Sequence, residues 1–202
     1  MSEATMISAK DVKKLRDMTG AGMMDCKKAL SEVDGDLEKA IDLLRAKGAA
    51  KVAKRAERAT NHGVIGSYVH FDGKTAVLVE VNCETDFVAN TDDFRALAKD
   101  LALHIASAAP LAVSPADIPA EVVERERHVY QEQVREEGKP EAIAGKIVDG
   151  KMQKFFKENT LLAQPFVKDP DKTIQQLVTE VSAKTGEKVE VARFARLKVG
   201  ER

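Results

Sequence analysis

The dipeptide Asp72-Gly73 lies between two apolar runs, and this arrangement constrains the fold more than any other feature of the sequence. The runs are residues 64–71 and 75–81. An Asp-Gly pair in this setting predicts a β-hairpin with a two-residue turn, in which both central residues adopt a positive φ. The resulting register places Tyr68 opposite Val77 and makes one face of the hairpin apolar. That face consists of Val64, Tyr68, Val77, Val79 and Val81.

Residues 1–48 have apolar side chains at helical spacing and predict a compact module of three helices. Ser8 with Asp11 resembles a capping box, with Asp in place of the usual Glu or Gln. Thr19-Gly20-Ala21-Gly22 ends the first helix, and Asp36 can cap the third. The apolar positions are Val12, Leu15, Met18, Met24, Cys26, Ala29, Leu30, Val33, Leu37, Ala40, Ile41 and Leu44.

Residues 49–62 predict an exposed, basic helical connector, which separates the helical module from a core domain at residues 63–202. The basic residues between positions 45 and 58 are Arg45, Lys47, Lys51, Lys54, Arg55 and Arg58. Such a segment can bind nucleic acid phosphates or be a solvated helix. We favour the solvated helix, because no aromatic platform for bases accompanies it and the net charge is −1.

The remainder of the chain adds helices and one more strand to the hairpin. A helix capped near Thr91 carries the apolar stripe Phe94, Leu97, Ala98, Leu101, Ile105 and Ala108. Two charged helices, at residues 121–137 and 141–158, predict an antiparallel pair that projects from the sheet. A helix from Thr173 to Thr185-Gly186 precedes a strand at residues 189–199. The fold class is therefore α+β with a small three-stranded antiparallel sheet.

The sequence gives little support for an enzyme. Cys83 and His70 could form a nucleophile and base, but the register pairs His70 with Thr75, far from Cys83. A phosphate-binding loop and the Cys-x-x-Cys spacing of structural zinc sites are both missing, so we expect no cofactor or metal. The apolar runs are too short to cross a bilayer, and residues 1–5 do not resemble a secretory signal. These features predict a cytoplasmic binding protein with reduced thiols.

The segment Thr85-Asp86-Phe87-Val88 follows a buried strand and precedes a helix cap. We expect Phe87 to lie in a loop, because it belongs to neither periodic face. It can pack under the sheet as a core residue, or it can be exposed beside a carboxylate, as in a binding hot spot.

Three stretches of this chain resemble the bacterial elongation factor Ts family. They are residues 15–30 (LRDMTGAGMMDCKKAL), residues 80–88 (EVNCETDFV) and Gln164-Pro165-Phe166-Val167. The resemblance covers nearly the whole chain. It implies a guanine-nucleotide exchange factor that binds elongation factor Tu, with a first module that resembles a ubiquitin-associated domain.

The resemblance also implies roles for individual residues. Thr85, Asp86, Phe87 and Val88 would form the exchange motif, which inserts near the magnesium and phosphate site of the partner. Arg16, Met23 and Met24 would dock the helical module, and Arg55 would contact the partner from the connector. We expect Met23 to be the better contact, because Met24 matches the inner stripe of its helix more easily.

Longer family members carry two related sheet subdomains, whereas this chain has one strand–Asp-Gly–strand signature. Residues 66–70 resemble the second subdomain, while the exchange motif belongs to the first. A homodimer would restore the pair, and His70 would then contact the partner from the other subunit. Two other functions stay open at this point: a ubiquitin-associated-like adaptor without exchange activity, and a ribosome- or RNA-binding protein that uses the basic connector.

Overall fold

A computed structural model describes residues 7–201 of the chain. Residues 1–5, for which we expect no secretory signal, lie outside the described residues. The chain divides into two compact units, which we describe separately. The first unit contains Met1–Gly63, Asn82–Phe94 and Leu177–Glu190, and the second contains Val64–Val81, Arg95–Gln176 and Val191–Arg202.

The structure is a mixture of helices and short strands. The α-helices are α1 (Ala9–Thr19), α2 (Met23–Glu32), α3 (Leu37–Ala53), α4 (Asp86–Ala89), α5 (Asp92–Ala108), α6 (Ala120–Glu136), α7 (Glu141–Asn159) and α8 (Ile174–Thr185). The strands are β1 (His62–Val69), β2 (Thr75–Cys83), β3 (Pro165–Phe166), β4 (Asp169–Thr173) and β5 (Val189–Lys198).

Helices α1, α2 and α3 pack around one apolar core in the first unit. Helix α1 begins after Ser8, whose hydroxyl accepts a hydrogen bond from the Asp11 amide (3.1 Å), and ends at Gly20 with a φ of 66°. Asp36 caps α3 by accepting from the Lys39 amide (3.1 Å). These caps are the ones that the sequence predicts. The buried core residues are Val12, Leu15, Cys26, Ala29, Leu30 and Ala40.

Two methionines that we expected on the apolar side of these helices are exposed. Met18 lies in the last turn of α1 and Met24 in the first turn of α2. Met24 precedes the buried Cys26 by two positions, which is about 200° around a helix. The assignment of Met24 to the inner stripe is therefore wrong, because a buried Cys26 turns Met24 toward solvent.

Helix α3 continues through Gly48, where we placed the end of the helical module. It ends at Ala53, and turns follow at residues 54–58, so only part of the expected helical connector is helical. The division into residues 1–48, 49–62 and 63–202 stays a prediction.

Helix α3 also packs on α8 within the first unit. A Cβ added to Gly48 would lie 3.3 Å from the Cβ of Ala183. One turn earlier, Arg45 lies 3.9 Å from a carboxylate oxygen of Glu180. The missing side chain at position 48 thus allows the two helices to approach closely.

The main sheet has the strand order β1-β2-β5. The His70 amide donates to the Thr75 carbonyl (2.8 Å), which is the pairing that the predicted register requires. The buried face of the sheet carries Val77, Val79 and Val81. On the other side of β2, the Val199 amide donates to Lys74 (2.9 Å), as expected for an antiparallel third strand. The prediction of an α+β fold with a small antiparallel sheet is confirmed.

The turn of the hairpin differs from the prediction. The Gly73 amide donates to the His70 carbonyl (2.8 Å), so residues 71–74 form a four-residue loop. Gly73 has a φ of 69°, whereas Asp72 does not adopt a positive φ. The expectation of positive φ at both positions is wrong. The Asp72 carboxylate accepts from the amide two residues later (2.9 Å) and so stabilises a turn with one left-handed residue.

Helix α5 packs closely on the sheet in the second unit. Gly66 of β1 faces α5, and a Cβ added there would lie 2.4 Å from the carbonyl oxygen of Ala98. On α5, the buried stripe includes Leu97, Leu101 and Ile105. Glycine at position 66 is therefore required for the helix to lie this close to the strand.

His104 of α5 is buried and connects the helix to a small hairpin that the sequence did not predict. This hairpin consists of β3 and β4, which pair antiparallel. The Val167 amide donates to Nδ1 of His104 (3.3 Å), and Nε2 lies 3.0 Å from Oε1 of Gln164. The ring is therefore neutral with its proton on Nε2, and burial lowers the pKa of His104.

Helices α6 and α7 pack on one another through a separate apolar cluster, and Gly138 (φ 63°) follows the end of α6 as predicted. At their surface, Arg127 pairs with Asp149 (3.0 Å). The buried residues of the cluster are Ala112, Ile118, Val134, Val148, Met152 and Phe155.

Candidate functional site

The segment Thr85-Asp86-Phe87-Val88, called the 85–88 segment below, forms a single helical turn rather than the loop that we expected. Thr85 is the N-cap of α4, and its hydroxyl accepts from the Val88 amide (3.4 Å). Phe87 is 82% exposed and Asp86 is also exposed. Phe87 is thus not a core residue. Val88 is buried, so it anchors the turn from below.

A pair of glutamates holds the start of α4. Glu187, in the turn between α8 and β5, accepts hydrogen bonds from the amides of Glu84 (3.1 Å) and Thr85 (3.0 Å) and from the Thr85 hydroxyl (2.7 Å). In return, the Glu84 carboxylate accepts from the Lys188 amide (2.6 Å). We call this reciprocal arrangement the glutamate clasp. This arrangement is not visible in the sequence, because the paired residues lie 102 to 104 positions apart.

The charges in the clasp are partly compensated. Arg58 lies 3.2 Å from Glu84. The hydrogen bond from the Lys188 amide, followed by Arg58, lowers the pKa of the Glu84 carboxyl. The Glu84 carboxyl is therefore an ionised acceptor.

The cysteines have the surroundings of structural thiols. Both Cys26 and Cys83 are free and buried. Burial raises the pKa of each thiol, and for Cys83 the Glu187 charge raises the pKa further. The Cys83 thiol donates to the Thr85 carbonyl (3.1 Å). Since a reactive cysteine needs a stabilised thiolate, this environment does not favour nucleophilic chemistry.

The described residues 7–201 contain no group of three or more His, Cys, Asp or Glu side chains placed to hold a metal ion. Within the same range, every helix is too short or too polar to cross a membrane.

The helical module presents an apolar and basic surface around the start of α2. Met23 is 46% exposed and Met24 is 65% exposed. Arg16, in the last turn of α1, is exposed as well. All three side chains that we expected to dock the module are thus accessible. Exposed methionines are typical of adaptable binding surfaces.

The basic residues between positions 45 and 58 are largely paired with groups of the first unit. Arg55 is half-buried and donates to the Ser182 carbonyl (3.4 Å). Lys47 pairs with Glu32 (2.6 Å) and Lys51 with Asp25 (3.1 Å). Because nearby acids offset these charges, the segment does not form a uniformly basic surface for nucleic acid phosphates.

His70 lies after β1, beside the hairpin loop of the second unit. Its Nδ1 lies 2.9 Å from the Tyr68 hydroxyl, and its ring is 4.4 Å from that of Phe71. His70 and Cys83 are at opposite ends of the hairpin's strands, since His70 pairs with the first residue of β2 and Cys83 is the last. The 85–88 segment, the module surface and Arg55 belong to the first unit, and His70 to the second.

Comparison with known proteins gives one consistent family. A family model described as elongation factor Ts matches residues 4–201. The elongation factor Ts of Desulfosudis oleivorans is 56% identical over 195 residues, which is 96% of this chain and 98% of that protein. The Thermosipho melanesiensis protein of the same name is 53% identical over 196 residues, 97% of this chain and 100% of the relative. For Geobacter sulfurreducens elongation factor Ts, identity is 54% over 195 residues, 96% of this chain and 90% of the relative.

Proposed function

This chain belongs to the elongation factor Ts family, and from that membership we propose that it is the guanine-nucleotide exchange factor of elongation factor Tu. The observation that carries the proposal is the exposed Phe87 beside Asp86 on an externally held helical turn. A large apolar side chain exposed on a fixed element is typical of a binding hot spot.

The proposed mechanism uses binding energy and no covalent step. Phe87 enters between helices of the partner next to its magnesium and phosphate site, and Asp86 accepts a hydrogen bond that orients the insertion. Displacing those helices weakens the metal and phosphate contacts that hold GDP. An exchange factor binds the nucleotide-free state more tightly than the GDP-bound state, and linkage then lowers the affinity for GDP by the same factor. The chain needs no cofactor, metal or direct nucleic acid contact for this function.

We assign docking on the nucleotide-binding domain of the partner to the helical module. Arg16, Met23 and Met24 provide exposed charge and apolar area there, and Arg55 adds a contact from the connector. The three-helix packing around Cys26 and Leu30 supports a ubiquitin-associated-like architecture for this module. Translation elongation takes place in the cytoplasm, where we place the protein.

We propose a homodimer formed through the outer face of the main sheet. Several large apolar residues are exposed on strands of the second unit and at the ends of those strands, and such a patch favours association. They are Ile65, Val69, Phe71, Leu78, Leu197 and Val199. In this dimer, His70 of one subunit contacts the elongation factor Tu molecule bound mainly by the other. The α6–α7 pair, which we propose to be antiparallel and projecting, provides further surface.

Release of a fluorescent GDP analogue from elongation factor Tu tests the exchange function. We expect the chain to accelerate release, and we expect Asp86→Ala and Phe87→Ala to weaken the acceleration. Because Phe87 is 82% exposed, its replacement should leave the folded structure intact, which circular dichroism checks. Acceleration that neither substitution changes would move the site away from the 85–88 segment. A folded chain without any effect would refute the proposal.

A further inference from the structure

Helix α4 cannot hold its own conformation, because it has only four residues. Isolated helices below about 12 residues are marginal in water, since the first turn fixes several dihedral angles for one hydrogen bond. The presentation of Phe87 therefore depends on contacts outside the turn itself. Two such contacts are visible: Val88 and Ala89 are buried below the turn, and the glutamate clasp holds its start.

We infer that Glu187 is the positioning residue of the exchange motif, an inference that rests on the proposed function. Its carboxylate accepts three hydrogen bonds, two from the amides of Glu84 and Thr85 and one from the Thr85 hydroxyl. Hydrogen bonds to a charged acceptor are stronger than neutral ones. By orienting Thr85, Glu187 also orients the hydroxyl that caps α4 through the Val88 amide.

Glu187 is itself fixed in place, as a positioning residue must be. It follows Gly186, which has a φ of 78° and ends α8. The Ser182 hydroxyl donates to the Glu187 carbonyl, and the next amide, that of Lys188, donates to Glu84 (2.6 Å). The clasp thus joins the two segments in both directions, so a shift of one requires breaking bonds on the other.

Glu187 acts through α4 and not by contact with the partner. Its side chain is half-buried and all three of its hydrogen bonds go to the residues that precede α4 or cap it. Phe87, in contrast, is 82% exposed. Loss of Glu187 should therefore disturb the step that the inserted turn performs, while initial docking through the helical module continues.

Titrating the protein in the GDP-release assay tests this division of roles. We expect Glu187→Ala to lower the maximal release rate about tenfold, with the half-saturating concentration changing by less than about threefold. Glu187→Gln keeps one oxygen acceptor for the two amides and should restore most of the rate. Val178→Ala is the matched control, because it removes a buried side chain of α8 outside the clasp. An equal loss of rate in Val178→Ala and Glu187→Ala would show general destabilisation and overturn the inference.

A double-mutant cycle with Phe87 separates positioning from an independent contact. If Glu187 acts through the exchange motif, adding Glu187→Ala to Phe87→Ala should change the maximal rate by less than about twofold. Additive losses in the double mutant would overturn the inference while leaving the exchange function intact.

Amide hydrogen exchange of the protein alone gives a test that does not depend on the partner. In Glu187→Ala, the Glu84 and Thr85 amides should exchange at least about tenfold faster than in the wild type, and the amides of α1–α3 should not change. Unchanged protection of both amides would refute the role of Glu187 even if the chain proved to be an exchange factor. If the wild type failed to accelerate GDP release, faster exchange in Glu187→Ala would still support the clasp, and only the proposed function would fall.

Discussion

Replacing Gly66 with alanine tests the close approach of α5 to the sheet. The added Cβ would lie 2.4 Å from the Ala98 carbonyl oxygen, 2.8 Å from the Ala98 carbonyl carbon and 3.0 Å from Cγ1 of Val79. Two of these atoms belong to the backbone of a helix and cannot rotate away. Relief of the contact therefore requires α5 to move away from β1, together with its buried stripe.

The expected magnitude follows from two opposing effects. Overpacking of a well-packed core costs about 1–3 kcal/mol, and a backbone contact belongs at the upper end of that range. The φ of Gly66 lies outside the left-handed region, so alanine also reduces the entropy of the unfolded chain and stabilises by about 0.4–1 kcal/mol. The net destabilisation of Gly66→Ala should be about 2 kcal/mol.

Gly145→Ala is the matched control in the same unit. Gly145 lies inside α7, and nothing is within 4 Å of a Cβ added there. Alanine should stabilise this helix by about 0.5–1 kcal/mol, because glycine is a poor helix former. Urea unfolding followed by circular dichroism measures both variants. A Gly66→Ala protein as stable as the wild type would refute the close contact, and a destabilised Gly145→Ala would refute the open environment of that position.

Three further predictions concern buried titratable groups and the sheet surface. Burial lowers the pKa of His104 in the folded state. As the pH falls below about 6.5, the unfolded chain therefore takes up a proton at His104 before the folded protein does, and the free energy of unfolding decreases. Urea unfolding between pH 7.5 and 5.5 measures this loss, and His104 should contribute up to about 1.4 kcal/mol per pH unit to it. His104→Gln should remove that contribution, and the same pH dependence of the free energy of unfolding in both proteins would contradict the prediction. Because burial raises the pKa of both thiols, Cys26 and Cys83 should resist iodoacetamide at pH 8 until the protein is unfolded, and rapid labelling of the folded protein would contradict this. Leu78→Lys and Leu197→Lys should weaken self-association in sedimentation experiments, whereas Leu111→Lys, at an exposed apolar residue outside the sheet, should not. A wild type that stays monomeric would refute the dimer.

Local chemistry made many element boundaries predictable from the sequence. Ser8 and Asp36 cap helices as expected, and Thr173 caps α8 by accepting from the Gln176 amide (3.2 Å). Gly138 and Gly186 follow the ends of helices with positive φ. Each of these signals involves residues within four positions of each other, and such signals are visible in a single sequence.

Contacts between distant or irregular segments were not predictable in the same way. Strand β3 has two residues, Pro165 and Phe166, and its partner β4 is mostly polar, so no alternation marks either strand. The Asp72-Gly73 dipeptide predicts a hairpin turn, but it does not specify a four-residue loop in which only Gly73 has a positive φ. The sequence leaves the exposure of Phe87 open, because Phe87 and Val88 are adjacent apolar residues and no periodicity decides which of them is buried.

Under the proposed function, the glutamate clasp explains how a helix as short as α4 can serve as the exchange element. Ordering one residue from a flexible loop costs about 1–2 kcal/mol, so a disordered 85–88 segment would lose about 4–8 kcal/mol on insertion. That loss would fall on the complex with nucleotide-free partner, whose stability drives GDP release. Carboxylate hydrogen bonds from Glu187 order Thr85 before the partner is met, and burial of Val88 does the same from below. A preorganised turn retains more of its contact energy for displacing the partner's helices. The rate of release should therefore depend on Glu187, although this residue is half-buried and holds the residues that precede and cap α4.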